Sequence, residues 1–272
     1  MLFKNKIVFI TGATRGIGKA IALRLAQEGA SIVIAAKSVE ENPKLGGTIY
    51  TAAKEIEAAG GQALPVQTDI RFEEEIIAAV EKTINVFGGI DILVNNASAI
   101  HLAGTEQIET KRFDLMHDIN VRGTFLMTKH CVPHLKNSSH AHILTLSPPV
   151  NVQAKWLKPH VAYAMSKYNM SMMAMAWAEE FRKFNIASNA LWPRTTIDTA
   201  AVRNLLGGEN LAKMSRKPEI MADAAFHILK TTGLQYTGNT FIDDEVLAKE
   251  GITDLEKYAV TPGGKLYPDL FV

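Results

Sequence analysis

The stretch Tyr163-Ala-Met-Ser-Lys167 sets a phenol and an amine four residues apart, one helical turn, and so on one helix face. A tyrosine hydroxyl titrates near ~10 and is a sluggish acid–base group at neutral pH. An ammonium beside it favours the phenolate and draws its pKa toward working pH. Ser147 closes the apolar run HILTLS and offers a hydroxyl to hold a carbonyl or alcohol oxygen. Three such groups would polarise a carbonyl while hydride is exchanged with it. None is specific alone. The Tyr-x-x-x-Lys spacing arises often by chance, and Ser147 stands before Pro148 and Pro149, where a strand must stop anyway.

What positions these residues can be read from the alternation of apolar runs with helical patterns. IVFIT (7–11), SIVIAA (31–36), ALPVQTD, DILVNNAS, HILTLS (142–147) and IASNALWP read as strands. Helical patterns separate them, including Glu73 to Phe87, a long one around Asp118–Leu135 and one from about Tyr163 to Phe184. Short, near-continuously apolar strands joined through helices indicate an α/β fold: a Rossmann-type doubly wound parallel sheet flanked by helices. No repeat or linker divides the chain, so a single domain is expected over residues 1–272, with a C-terminal extension from about 245. The loop 37–47 is long for a βα connection and is expected at the sheet's carboxyl edge.

The first strand runs into TGATRGIG, residues 11–18, with Gly12, Gly16 and Gly18 opening a helix. Small residues let backbone approach a pyrophosphate, and a helix N-terminus presents free N–H groups and a positive dipole end. Gly12, Ala13, Thr14, Arg15, Gly16, Ile17 and Gly18 are therefore the candidate phosphate cradle. An NAD site usually ends its second strand with a carboxylate for the ribose hydroxyls. Here that strand ends in Ala35, Ala36 and Lys37, and Arg15 sits inside the glycine turn. Two cations without an acid suit a ribose carrying a 2′-phosphate, which favours NADP(H) over NAD(H). A solvated loop charge is the competing account of Lys37. Asp69 and Asn96 close the next two strands. Asp69 can accept from an adenine amino group and Asn96 can bond backbone beside a cofactor, though both types equally serve as turn caps.

Taken in order, TGATRGIG, Asp69, NNAS, Asn120 in DINVRGTF, Ser147 and Tyr163/Lys167 resemble the short-chain dehydrogenase/reductase family over roughly residues 5–245. GATRGIGKAIAL, FGGIDILVNNASAI, HILTLSPP, NALWPRT and DAAFHILK narrow the likeness to its hydroxysteroid dehydrogenase-like, type two branch. Animal members of that branch carry a sterol-carrier domain after the reductase domain, which these 272 residues are expected to lack. The resemblance implies Tyr163 as acid/base and Ser147 as substrate anchor. It implies that Lys167 tunes Tyr163 and binds nicotinamide ribose, and that Asn120 holds a water linking Lys167 to solvent. Departures fall around the substrate: Ser147 and Tyr163 are further apart than is common, and Pro193-Arg194 replaces the family's Pro-Gly pair. IDDEVLAKEG and a tail to Val272 replace its usual Asp-Gly-Gly ending.

Lys and Arg (29) nearly balance Asp and Glu (28), giving a net charge of +1 and no case for nucleic acid as partner. No run of eighteen apolar residues suggests a membrane span, and one cysteine, Cys131, suits a reducing, cytoplasmic setting. His130 and His134 beside Cys131 lack a third ligand at metal spacing, so no metal is expected. The methionine-rich helix MSKYNMSMMAMAWAEEF reads as core plus a subunit interface, and the resemblance implies a homodimer or homotetramer. The expected function is an NADP-dependent oxidoreductase interconverting a carbonyl and a secondary alcohol on an apolar small molecule. Trp156, Leu157, Trp192 and the tail are expected to line its pocket. The alternatives are a non-catalytic nucleotide-binding regulator and an enoyl-thioester reductase.

Overall fold

The computed structural model describes residues 1–272 apart from Lys44, which leaves that one position of the 37–47 loop outside the described residues. Seven strands form one parallel sheet: β1 (Ile7–Thr11), β2 (Ser31–Ala36), β3 (Gln62–Gln67), β4 (Ile92–Asn95), β5 (His142–Leu146), β6 (Ala187–Trp192) and β7 (Thr240–Ile242). Their order is β3-β2-β1-β4-β5-β6-β7. The strands β2, β4, β5 and β6 are buried along their whole length, as expected of strands covered on both faces. β3 alternates and carries Pro65, which an edge strand tolerates because only one side needs ladder hydrogen bonds.

Helices α1 (Gly16–Ala26), α2 (Ile49–Ala58), α3 (Glu73–Phe87), α4 (Thr110–Met116), α5 (Thr124–Leu135), α6 (Ala154–Leu157), α7 (Val161–Glu180), α8 (Gly208–Lys213), α9 (Glu219–Leu229) and α10 (Asp243–Lys249) connect or follow them. One core joins α1, α2, α9 and α10 to the sheet, with Ile21, Leu25, Ile56 and Ile228 fully buried in it. A second joins α3, α5 and α7 to the other face, around Phe9, Leu93 and Met127. A third, smaller cluster gathers Met116, Tyr163, Tyr168, Trp192, Ile242 and Phe271 near the carboxyl ends of β6 and β7.

The crossover from β3 to β4 passes β1, and the sheet then grows in the opposite direction. Ligands of such sheets bind in the crevice outside the strand carboxyl ends at that reversal. Thr11 and Asn95 end the two strands that flank it.

The expected helix around Asp118–Leu135 is interrupted. α4 runs into a π-helical turn, His117–Gly123, before α5 begins at Thr124. Apolar spacing does not reveal one wide turn inside a helical run, and such turns often mark functional positions. The helix expected from Tyr163 to Phe184 begins earlier, at Val161, and gives way after Glu180 to a 3₁₀ turn, Arg182–Phe184. Beyond α10 the tail doubles back. Val260 N bonds Ser215 O, Tyr267 N bonds Met214 O, and Thr195 pairs with Pro268 antiparallel.

The amino edge of the sheet is tied by Asp91, whose carboxylate accepts from Ile7 N at 2.8 Å and from Ser138 Oγ at 2.5 Å. Asp91→Ala leaves the Ile7 N–H without that partner and should cost about 1–3 kcal/mol in urea unfolding. Nucleotide affinity should be unchanged, because the ligand crevice lies at the opposite edge of the sheet.

Candidate active site

The glycine turn is shaped by one side chain. Asn96 Nδ2 donates to Thr11 O at 2.8 Å and to Gly12 O at 3.1 Å, while Asn96 N donates to Thr11 Oγ1. Gly18 packs against that amide so closely that a Cβ there would lie 2.4 Å from Asn96 Nδ2. Gly12 and Gly16 have φ of 69° and 55°, backbone that L side chains rarely adopt. α1 starts at Gly16 and its first bond is Lys19 N to Arg15 O, so the N–H groups of the first turn have no intrahelical carbonyl. Donors, close approach and dipole together fit the pyrophosphate of a nicotinamide dinucleotide. A cavity of about 740 Å³ opens beside the turn, lined by Arg15, Gly16, Lys19, Asp198, Thr199 and Arg203 among others. Neither Ser147 nor Tyr163 lines it.

Arg15 reaches the loop after β2. Its Nη2 donates to Ser38 Oγ at 2.7 Å and its Nε to Gly46 O at 2.9 Å, leaving both Nη1 N–H groups without a partner among the described residues. Lys37 is exposed at the end of β2. Asp69 differs from the simple expectation of an adenine acceptor. Its carboxylate is held by Arg71 through Nε and Nη2, the shorter contact being 2.6 Å, and that hydrogen-bonded pair keeps its pKa low. A carboxylate at a strand end is visible in sequence. The arginine two residues on, which takes up the carboxylate, competes with any ligand for it.

On the other side of the crevice, Lys167 Nζ donates to Leu146 O at 2.6 Å and contacts Met170 Sδ at 3.3 Å. That bond pins the Tyr163/Lys167 face of α7 to the end of β5, one residue before Ser147. Lys167 is 2% exposed, Tyr163 4% and Ser147 0%. Ser147 Oγ has no hydrogen-bond partner among the described residues. Asn120 lies in the π-helical turn. Its Oδ1 accepts from Ala99 N at 2.8 Å, and its Nδ2 donates to Ala99 O and to Ser166 Oγ, both at 2.9 Å. Ser166 Oγ in turn donates to Tyr163 O. The amide thus ties the β4–α4 loop to the first turn of α7 and keeps one acceptor lone pair for a further donor.

Three elements that carry no motif complete the site. Phe271 of the tail is 2% exposed and lies among the rings of Trp156, His160, Tyr163, Tyr168 and Trp192, at centroid distances of 5.1–6.3 Å. The 147–160 segment, the long gap before Tyr163, holds the single turn α6 and is fastened to α7 by Tyr168 Oη to Asn151 O and Ser171 Oγ to Pro148 O. Asp269 brings a carboxyl whose charge reaches both Tyr163 and Lys167. Burial, and secondarily that charge, raises the Tyr163 pKa above its ordinary value. Burial lowers Lys167 to about 7 and raises Asp269 to about 7, their mutual attraction opposing both shifts. With the tail in this position burial and the Asp269 charge outweigh the expected lowering of the tyrosine by its lysine. The sequence signal for these residues was an aromatic-dense window from Trp156 to Tyr168 and the apolar ending Pro-Asp-Leu-Phe.

Elsewhere the structure gives expected residues ordinary partners. His130 Nε2 bonds Glu73, and Cys131 is fully buried. No helix among the described residues is long and apolar enough to cross a membrane.

With the geometry in place, comparison with known proteins is specific. Residues 6–209 match the model of the family described as short chain dehydrogenase. The chain is 58% identical over 265 residues to hydroxysteroid dehydrogenase-like protein 2 of Xenopus laevis and 56% identical to the Homo sapiens protein of that name. Each alignment covers 97% of this chain and 63% of the relative, so the chain spans less than two thirds of their length. A solved short chain dehydrogenase from Mycobacterium thermoresistibile is 54% identical, with a TM-score of 0.94 over 100% of this chain and 96% of that one.

Asn120→Ala should lower unfolding stability by about 2–3 kcal/mol, since it leaves Ala99 N–H and C=O and Ser166 Oγ without their shared partner. Urea midpoints at unchanged m-value report this. Asn120→Asp, which sets a second oxygen against Ala99 O and buries a carboxyl, should lose at least as much.

Proposed function

The chain belongs to the short chain dehydrogenase family, and from that premise we propose an NADP-dependent oxidoreductase that interconverts a carbonyl and a secondary alcohol on an apolar substrate. The observation that carries the reading is Ser147 Oγ, fully buried and without a partner among the described residues just past the end of β5, beside the strand carbonyl that holds Lys167. A buried orphan hydroxyl costs stability unless a ligand meets it.

Bound nicotinamide dinucleotide supplies the hydride donor or acceptor. Ser147 Oγ donates to the substrate oxygen and fixes its position. The Tyr163 hydroxyl gives its proton to that oxygen in reduction and takes it back in oxidation. Lys167, on the same helix face, favours the phenolate form whenever water or ligand replaces the groups that now bury the pair. One of its three N–H groups remains for a ribose hydroxyl after Leu146 and Met170 are met. Asn120 holds the first turn of α7 in place and keeps an acceptor for a water.

The backbone of Gly12, Ala13, Thr14, Gly16, Ile17 and Gly18 would cradle the pyrophosphate, with Asn96 holding the turn beneath. Arg15 Nη1 and Lys37 would take a 2′-phosphate. Arg71 supports this preference by neutralising Asp69, an anion within electrostatic reach of Lys37. Adenine recognition by Asp69 then requires an acceptor lone pair that Arg71 leaves open.

A homodimer or homotetramer is part of the proposal. Met165, Met172 and Met175 follow one stripe of α7 and are 48%, 59% and 47% exposed, and Phe125 on α5 is also exposed. The lone buried Cys131 supports a reducing, cytoplasmic setting.

Tyr163→Phe should lower kcat for ketone reduction by about 10²–10⁴-fold with nucleotide affinity intact. Equal turnover by wild type and variant would refute the assignment. Lys37→Asp should weaken NADPH binding by roughly tenfold or more, the scale of one charge-assisted contact, and leave NADH within about threefold. Titration with both nucleotides decides it, and matched affinities in wild type would contradict the 2′-phosphate reading.

A further inference from the structure

Phe271 lies where a ligand would be expected rather than a wall. Its backbone has φ of 74°, a left-handed conformation that bulky residues rarely adopt and that persists only where surroundings dictate it. Its ring stacks on Tyr163 at 29° between planes, and four further rings surround it. Three buried polar atoms around this cluster lack partners among the described residues: Ser147 Oγ, Trp156 Nε1 and His160 Nε2. An aromatic cage with orphaned polar atoms is the composition of a binding site, apolar body and few placed polar groups.

Besides Tyr267 N to Met214 O and the Thr195/Pro268 pairing, three hydrogen bonds hold the segment that carries the ring, and among the described residues none involves Phe271 or Val272 themselves. Thr196 N bonds Tyr267 O, Asp269 N bonds Arg194 O, and Trp192 Nε1 bonds Leu270 O at 2.9 Å. Tyr267 and Pro268 are exposed. With the tail down, neither Ser147 nor Tyr163 is open to a substrate oxygen.

We infer that the space filled by Phe271 is the substrate's hydrocarbon subsite, that the ring stands in for an aryl or branched-alkyl group near the reacting carbonyl, and that residues 267–272 lift away to admit it. This rests on the carbonyl–alcohol reading above and adds the substrate class to it. The partner-less Trp156 N–H further selects ligands with a second acceptor, since a pure hydrocarbon would leave it unpaired.

Phe271→Ala in the whole chain tests the inference, with thermal melting as the check on folding. Trp156 and Trp192 flank the subsite, so quenching of tryptophan fluorescence reads ligand binding without turnover. The probes are 4-phenyl-2-butanone and, as a short control, acetone. Phe271→Ala is expected to bind the aryl ketone at least tenfold more tightly and acetone within twofold of wild type, with Phe271→Leu in between. An aryl-ketone affinity at or below that of wild type overturns the inference and makes the ring a fixed wall.

A second variant does not depend on how the first one packs. Thr195→Cys with Pro268→Cys joins two antiparallel partners at a separation a disulfide spans. Oxidised, it should bind and turn over the aryl ketone at least tenfold less well than after reduction with dithiothreitol. Equal affinity for the ketone in the two states overturns the proposal. Tighter ketone binding by Phe271→Ala with no NADPH oxidation by either protein would refute the carbonyl–alcohol reading while upholding the subsite. Turnover with unchanged binding would do the reverse.

Discussion

The bond from Lys167 Nζ to Leu146 O joins the two halves of the site. A lysine ammonium is seldom taken fully out of water, and one that is needs oxygen partners close by. Here the partner is the carbonyl at the end of a parallel strand, with Met170 sulfur and the Trp192 ring also against it. The constraint sets the height of α7 over the sheet. Tyr163 then sits one turn before the lysine, Ser147 one residue after the carbonyl, and Asn120 ties the same helix start to the β4–α4 loop through Ser166. Changing where Lys167 lands would move every other catalytic candidate with it.

The tail changes the electrostatics of this arrangement as well as its shape. Its Phe271 removes water from Tyr163, and its Asp269 adds a carboxyl that opposes phenolate formation. Both effects push the tyrosine away from the range where it exchanges protons at neutral pH. Burying one phenylalanine is worth about 1.5–3 kcal/mol, which is also the scale gained by burying a substrate group of similar size. Exchange of one for the other is therefore close to balanced, as a displaceable occupant requires.

Much of this was legible in the sequence, and the unread parts have definite causes. β1, β2 and the glycine turn follow from apolar runs and small residues whose meaning is local. Ser147, Tyr163 and Lys167 were recognisable because they fall in order on such a scaffold, although their mutual geometry depends on a strand-to-helix bond no spacing displays. The π-helical turn at Asn120 was read as uninterrupted helix because one wide turn hardly disturbs a 3.6-residue pattern. Arg71's hold on Asp69 is a side-chain competition that residue types do not order. The tail was expected at the pocket, but not that Phe271 and Asp269 are its residues there, because it has no periodicity and docks on residues 78 positions away, as the Trp192–Leu270 bond shows.

The most direct measurement of the central claim follows isotope from nucleotide to product. The reaction is run with NADPH carrying deuterium at the transferable C4 position, over a ketone and an enoyl thioester, with mass-spectrometric location of the label. The account predicts one deuterium on the carbinol carbon of the alcohol, lost when Tyr163 is phenylalanine. Label on the β-carbon of the thioester, with none on a carbinol carbon, would contradict it.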